Sequence, residues 1–343
     1  MTIDPAFKEW VLADERYLRY VNEIQYYAGK LRNDAGLVDL IAERHKAIMA
    51  ETMAGFETLD LNQLDSIVLP MDEEDSVSII EREFASPPLS QAEKDAELET
   101  DIPKDAEDRQ EVFRPRIQEG GDKFLLSLLL YSGLVKNMEM IADGLKRHHL
   151  SEIWRGWSIL LIAALRLAPR LAKERRIRIN GALYEVQAPH GMSDATLLRK
   201  MMLMLPHVHV KLLSGALGTE KLERQLSEPL KKEDPDPKIY DFFRTSLIAD
   251  LRLPATPESA AALTTQFRHN HYLLWSFVVH LGELRRLDRV RDEHFARLEA
   301  PIAGAIANLR GGTGDVQRKE VSRQLARLTK ERLMLKMKKD REA

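Results

Sequence analysis

The chain has 343 residues, 44% of them hydrophobic and 31% charged, with a formal net charge of −3 and no cysteine. That is enough apolar material for one large or two medium domains without covalent staples. Disulfides, thiolate zinc sites and a cysteine nucleophile are excluded, and the composition fits a reducing compartment.

The opening MTIDPAFKEW lacks the basic start and apolar run of a secretory signal, so the expected location is the cytoplasm. Asp4 before Pro5 reads as a helix start, an N-cap followed by a residue whose missing N–H would have had no helical partner. Phe7, Trp10, Val11, Leu18, Val21 and Ile24 recur at helical intervals, which predicts one amphipathic helix to about Tyr27. A second helix, from about Leu37 to Phe56, carries Leu40, Ile41, Ile48 and Met49. Together they make an expected helical hairpin over residues 1–68.

Residues 69–121 change character. Between 71 and 111 there are fifteen Asp or Glu against four Lys or Arg, and Pro70, Pro87, Pro88, Pro103 and Pro115 punctuate the stretch. Large apolar side chains are too few there to offset the entropy of ordering, so the segment reads as an acidic flexible linker. Its exception is a short apolar island of Val77, Ile79, Ile80 and Phe84.

Residues 122–310 form the expected helical core. Leu125, Leu128, Leu129, Ser132 and Val135 recur at helical spacing with apolar neighbours around most of the circumference, which predicts a helix enclosed by others. Ile153, Trp157, Leu160, Leu161, Ala164, Leu165 and Ala168 mark a second, with Ser151 as its cap and Pro169 ending or kinking it. Lys136 and Arg166 interrupt these apolar runs, which are far shorter than the roughly 20 residues of a bilayer span. Residues 176–186 alternate on either side of Asn180-Gly181, the signature of a β-hairpin that pairs Ile179 with Ala182, Ile177 with Tyr184 and Arg176 with Glu185. Ser193 then caps a helix rich in Leu197, Leu198, Met201, Met202, Met204 and Leu205, halted by Pro206. Thr256-Pro257-Glu258 opens a long helix to about Leu298, with Gly282 as its expected bend. Residues 311–343 follow as a separate basic helix, from Val316 to about Lys339, with Val321, Leu325, Leu328, Leu333 and Leu335 as its apolar stripe. The fold class is therefore mainly α: a multi-helix core with one β-hairpin ornament, an N-terminal helical pair and a separate basic C-terminal helix.

Chemistry-bearing groups are sparse. His148-His149, His207 with His209, and His269 with His271 are paired, but none has the two further ligands a zinc site needs. No metal is expected, and His148-His149 suit a helix C-terminus. Neither Gly215 to Lys221 nor Gly311 to Asp315 has the order of a phosphate-binding loop, so no cofactor is expected. Arg289 and His294 have an Arg-x4-His spacing that resembles the motif of HEPN ribonucleases, which are small helical domains. The resemblance covers these two residues and implies that they are the candidate catalytic pair of a nucleic-acid-acting enzyme. His294 also falls on an apolar stripe with Leu287, Val290 and Leu298, which predicts a packing role. The segments LGTEKLERQL and SLIADLRLP resemble helical regions found beside P-loop ATPase modules in bacterial defence proteins, which implies a multiprotein bacterial assembly.

From 303 to 343 there are eleven Lys or Arg against five Asp or Glu. Arg318, Lys319, Arg323, Arg327, Lys330, Arg332, Lys336, Lys338 and Lys339 are the candidate nucleic-acid-binding residues. Without interleaved aromatics such a helix would contact the phosphate backbone and ignore sequence. Three partners suit it: the acidic connector, a partner helix reading the leucines, or nucleic acid. The leading expectation is a non-enzymatic interaction or scaffold subunit of a cytoplasmic multiprotein complex, nucleic-acid-associated or defence-related. Its partners would be other protein subunits and, through the C-terminal helix, nucleic acid, with no membrane and with self-association left open. The alternative is a helical nucleic-acid-acting enzyme of the HEPN type.

Overall fold

The computed structural model describes residues 10, 12–13, 16–31, 33–54, 89–90, 92–93, 123–137, 140–179, 182–186, 191–217, 243, 247, 282, 285, 297, 300, 302–304, 307 and 315–342. Packing divides the chain into two units. The first comprises Met1–Leu61, Arg116–Val186 and Lys211–Pro235, and the second Asn62–Pro115, Gln187–Val210 and Asp236–Ala343. Most described residues are helical, as the apolar periodicity predicts.

The first unit is built on α3 (Lys123–Asn137), in which Phe124, Ser127, Leu128 and every residue from Leu130 to Val135 is buried. A helix apolar around most of its circumference needs neighbours on several sides. They are α1 (Val21–Leu31), α2 (Ala35–Ala54) and α4 (Asp143–Glu174), each packed on α3. The two N-terminal helices, expected as a hairpin, thus both pack on α3. Asp34 caps α2, its Oδ1 accepting from the Leu37 N–H at 3.0 Å. Leu37, Val38, Ile41, Ala42, His45, Ile48 and Met49 form the buried stripe of α2 at successive steps of one and three. The one continuous helix expected up to Tyr27 is interrupted, because Arg16–Arg19 is a 3₁₀ turn that turns Tyr17 and Leu18 inward before α1 begins. Residues 1–9 lie outside the described residues.

Two helices run through prolines that were expected to end or kink them. In α4 the start moves from Ser151 back to Asp143 and Pro169 lies inside. Lys146, His149, Leu150, Ile153, Trp154 and Trp157 continue one buried face across Ser151, and Ala168 and Ala172 extend it across the proline. That continuous burial offsets the hydrogen bond a proline removes. The helix ends only at Arg175, whose φ of 61° is left-handed and whose N–H returns to the Leu171 carbonyl. In α5 (Asp194–Leu217), Pro206 is likewise internal, with Met202 before it and His209, Val210, Leu213 and Leu217 after it on the buried side. Ser193 caps α5 as expected, its Oγ accepting from the Thr196 N–H at 3.1 Å.

Between α4 and α5, β1 (Arg176–Ile179) and β2 (Ala182–Glu185) pair antiparallel in the expected register, with Arg176 opposite Glu185 and Ile179 opposite Ala182. Ile177 is buried, and Arg176 and Glu185 form an exposed ion pair at 2.8 Å. In the acidic connector, Ser90 and Glu93 make reciprocal bonds, Ser90 N–H to Glu93 Oε2 at 2.7 Å and Glu93 N–H to Ser90 Oγ at 3.2 Å. This capping box starts a helical turn within the stretch expected as an acidic flexible linker. The long helix expected over 256–298 lies largely outside the described residues, of which Gly282, Arg285 and Arg297 are helical. The chain closes with α6 (Asp315–Glu342). Among the described residues, no helix is long and apolar enough to cross a membrane.

Candidate interaction surface

In α6 the residues that fold inward are Val321, Leu325, Leu328 and Arg332. Their spacing of four, three and four is that of one stripe, covering an arc of about 60° at roughly 100° per residue. Leu333 and Leu335, expected on that stripe, are instead exposed, at 39% and 44%. Leu335 has nearly the phase of Leu328, so its exposure shows that the cover over this face stops after Arg332. The last turns of α6 extend past it, and they carry Met334 and Met337 as well, at 54% and 57% exposed.

Arg332 is the correction to the predicted phosphate-binding set. It is fully buried, and its Nη2 donates to the Arg285 carbonyl at 2.8 Å. Arg285, also fully buried, donates from Nη2 to Thr329 Oγ1 at 3.2 Å. A guanidinium in the core is costly unless its donors are engaged, so Arg332 serves the interior of the second unit and cannot meet a phosphate at the surface. Lys336 is half-buried, and the side chains of Arg318 and Lys339 lie outside the described residues.

The remaining predicted cations are brought together. Lys319, Arg323, Arg327, Lys330 and Lys338 are exposed, as is Arg341, and all six fall within an arc of roughly 100° opposite the buried stripe. Arg327 pairs with Glu331 at 3.6 Å along the same helix. Among the described residues, no ion pair engages Lys319, Arg323 or Lys330. Met334 and Met337 lie within the same arc, and Leu333 borders it. The outer face of α6 is thus a ridge, basic over its first part and mixed basic and apolar over its last. The candidate catalytic residues Arg289 and His294 lie outside the described residues.

A second polar cluster, not anticipated from the sequence, is buried in the first unit. His45 of α2 contacts Ser127 Oγ of α3 through Nδ1 at 2.9 Å, and Ser127 gives its own proton to the Phe124 carbonyl at 2.9 Å. The hydroxyl therefore accepts, which places the His45 proton on Nδ1 and leaves Nε2 against Gly156 of α4. An added Cβ at Gly156 would stand 2.9 Å from that Nε2 and 2.8 Å from Leu128 Cδ1. His45 stacks on Phe124 with ring centroids 5.3 Å apart. Burial lowers its pKa to about 4.

Beside it, the Tyr131 hydroxyl is 2.7 Å from His149 Nδ1. Burial, with Glu152 and Asp39 nearby, pushes the phenol pKa up, so Tyr131 donates and His149 accepts. The other ring nitrogen of His149 faces Asp39 Oδ1 at 3.4 Å, an electrostatic contact rather than a well-formed hydrogen bond. His149 is held neutral mainly by burial, against the opposing pull of Asp39. His148 and His149 lie in the first two turns of α4, which corrects the expectation of a helix C-terminus. A His–Tyr–His row with a carboxylate at one end has the parts of a proton relay. Tyr131, His45 and His149 are all closed off from solvent, however, and only Asp39 reaches it. Their role is to fix α2, α3 and α4 against one another. Among the described residues, no group of three or more His, Asp or Glu side chains is placed to hold a metal ion. No protein-family model, curated protein or solved structure matches the chain.

Proposed function

We propose that this protein is a non-enzymatic helical interaction subunit of a cytoplasmic multiprotein complex, with the outer face of α6 as its docking surface. One observation carries the reading: six exposed cations and two exposed methionines share the face of α6 opposite its buried stripe. A surface helix needs no such alignment for its own stability, since one apolar stripe suffices to hold it down. A nucleic-acid-associated or defence-related setting for the complex belongs to the same proposal, supported by the net positive tail and by the likeness carried by residues 217–226 and 246–254.

The test is to reverse three exposed charges together, Lys319→Glu, Arg323→Glu and Lys330→Glu, and to follow the size of the native assembly in extracts of the source cells, with and without nuclease. A shift of the variant to the mass of the single chain, with its melting temperature unchanged, is the expected result. An assembly of undiminished size would refute the role of this face.

A further inference from the structure

The ridge on α6 is graded along its length, and the grading says what fits it. Lys319, Arg323 and Lys330 are exposed without an ion pair among the described residues, whereas Leu333, Met334 and Met337 expose apolar surface further along. Read as a seam, Lys319, Arg323, Ala326, Lys330, Leu333 and Met337 step by four, three, four, three and four, the spacing with which one helix receives another. We infer that this seam takes an amphipathic helix of a partner protein whose facing positions are Asp or Glu at one end and Leu, Ile or Met at the other. The inference rests on the reading of α6 as a docking surface and names the chemistry of what docks.

Charge complementarity selects the acidic end. Cations facing carboxylates across a seam steer encounter and fix register, and three exposed cations on one line offer that along about three turns of helix. The apolar end selects protein over phosphate. A nucleic-acid backbone would engage Lys319, Arg323 and Lys330 but would leave Leu333, Met334 and Met337 facing a polar, charged ribbon, with nothing gained from their burial. A helix satisfies both ends, and methionine adapts to partner side chains of different shape. From Lys319 to Met337 the seam is about 27 Å long at 1.5 Å per residue, so the partner helix needs about five turns.

The experiment uses the full chain and three synthetic helical peptides of one composition. Two carry glutamate in the seam positions of one half and leucine in those of the other, in opposite chain directions, and the third interleaves the two residues. Affinity is read by fluorescence anisotropy beside a 20-base-pair DNA duplex and vesicles containing phosphatidylserine. One graded peptide should bind at least tenfold tighter than the interleaved one. Arg323→Glu and Met337→Glu should each weaken it tenfold or more while leaving the circular dichroism spectrum unchanged. Equal affinity for all three peptides would overturn the inference, as would loss on Arg323→Glu alone. Preferential binding of duplex or vesicles that Met337→Glu does not weaken would also overturn it, though the outer face would remain a docking surface. No binding to any probe would remove both the inference and the reading beneath it.

Discussion

Lowering the pH from 8 to 5 should weaken the first unit, and His45 should account for a definable share of the loss. Its imidazole, 1% exposed, is kept neutral by burial, with its pKa lowered from 6.5 to about 4. An unfolded chain takes up that proton near pH 6.5, whereas the folded one does so only near 4. Between those values the unfolded state binds more protons, so stability rises with pH there, is complete above about pH 7.5, and is lost as pH falls through 6.5. At 1.36 kcal/mol per unit of separation, the loss attributable to His45 is on the order of 2 kcal/mol at pH 5. The assay is urea unfolding at pH 8, 6.5 and 5, followed by the fluorescence of Trp154 and Trp157, which are buried in the same unit. His45→Gln keeps a donor for Ser127 but does not titrate. The variant should lose stability at pH 8 yet show a drop to pH 5 smaller than wild type by about 2 kcal/mol. Parallel stability curves for the two proteins would refute the buried, neutral assignment of His45.

Other substitutions probe the same packing. Gly156→Ala should cost about 1–3 kcal/mol, because the new methyl meets His45 Nε2 and Leu128 Cδ1 at once; thermal unfolding that stays at the wild-type midpoint would contradict that contact. Gly133→Ala should be milder, since the displaced atoms are the flexible end of Gln25 and helix propensity gains about 1 kcal/mol; its measured loss should be the smaller of the two. Arg332→Ala should cost about 1–3 kcal/mol by taking from the buried Arg285 carbonyl the donor it accepts from, while Arg323→Ala on the exposed ridge should change stability by less than about 0.5 kcal/mol. Urea curves that rank these two the other way would reverse their assignments. Ser193→Ala should cost about 1 kcal/mol through the lost cap of α5, which the same curves would show.

Much of the helical framework is legible in the sequence because it rests on strong local rules. The apolar circumference of residues 123–137 requires a central helix, and it is the one on which α1, α2 and α4 pack. Asn180-Gly181 between alternating runs fixes a two-residue connection and hence the register, which the strands follow from Arg176 opposite Glu185 onward. Local rules fail where burial overrides them. Pro169 and Pro206 carry the strongest stop signals in their segments, yet each sits on a helix whose buried face continues on both sides. The Ser90–Glu93 box was present as Ser-x-x-Glu but was masked by the acidic composition around it. The His45–Ser127 and Tyr131–His149 pairs join residues 82 and 18 positions apart, and no spacing rule within one helix announces contacts that only the packing of three helices creates.

Arg332 decides which side chains of α6 reach the surface. By composition the helix offers arginines and lysines in every turn, and a stripe drawn through its leucines is the natural choice. The helical phase of Val321, Leu325 and Leu328 points instead to position 332, whatever residue stands there, and Arg332 takes the inward place with its guanidinium on the Arg285 carbonyl. Once that position is assigned inward, Leu333 is turned about 100° away from it, next to the cations. The exposure of Leu333, Met334 and Met337 is then the geometric consequence of one buried arginine, and it sets apolar surface beside the cations of the outer face.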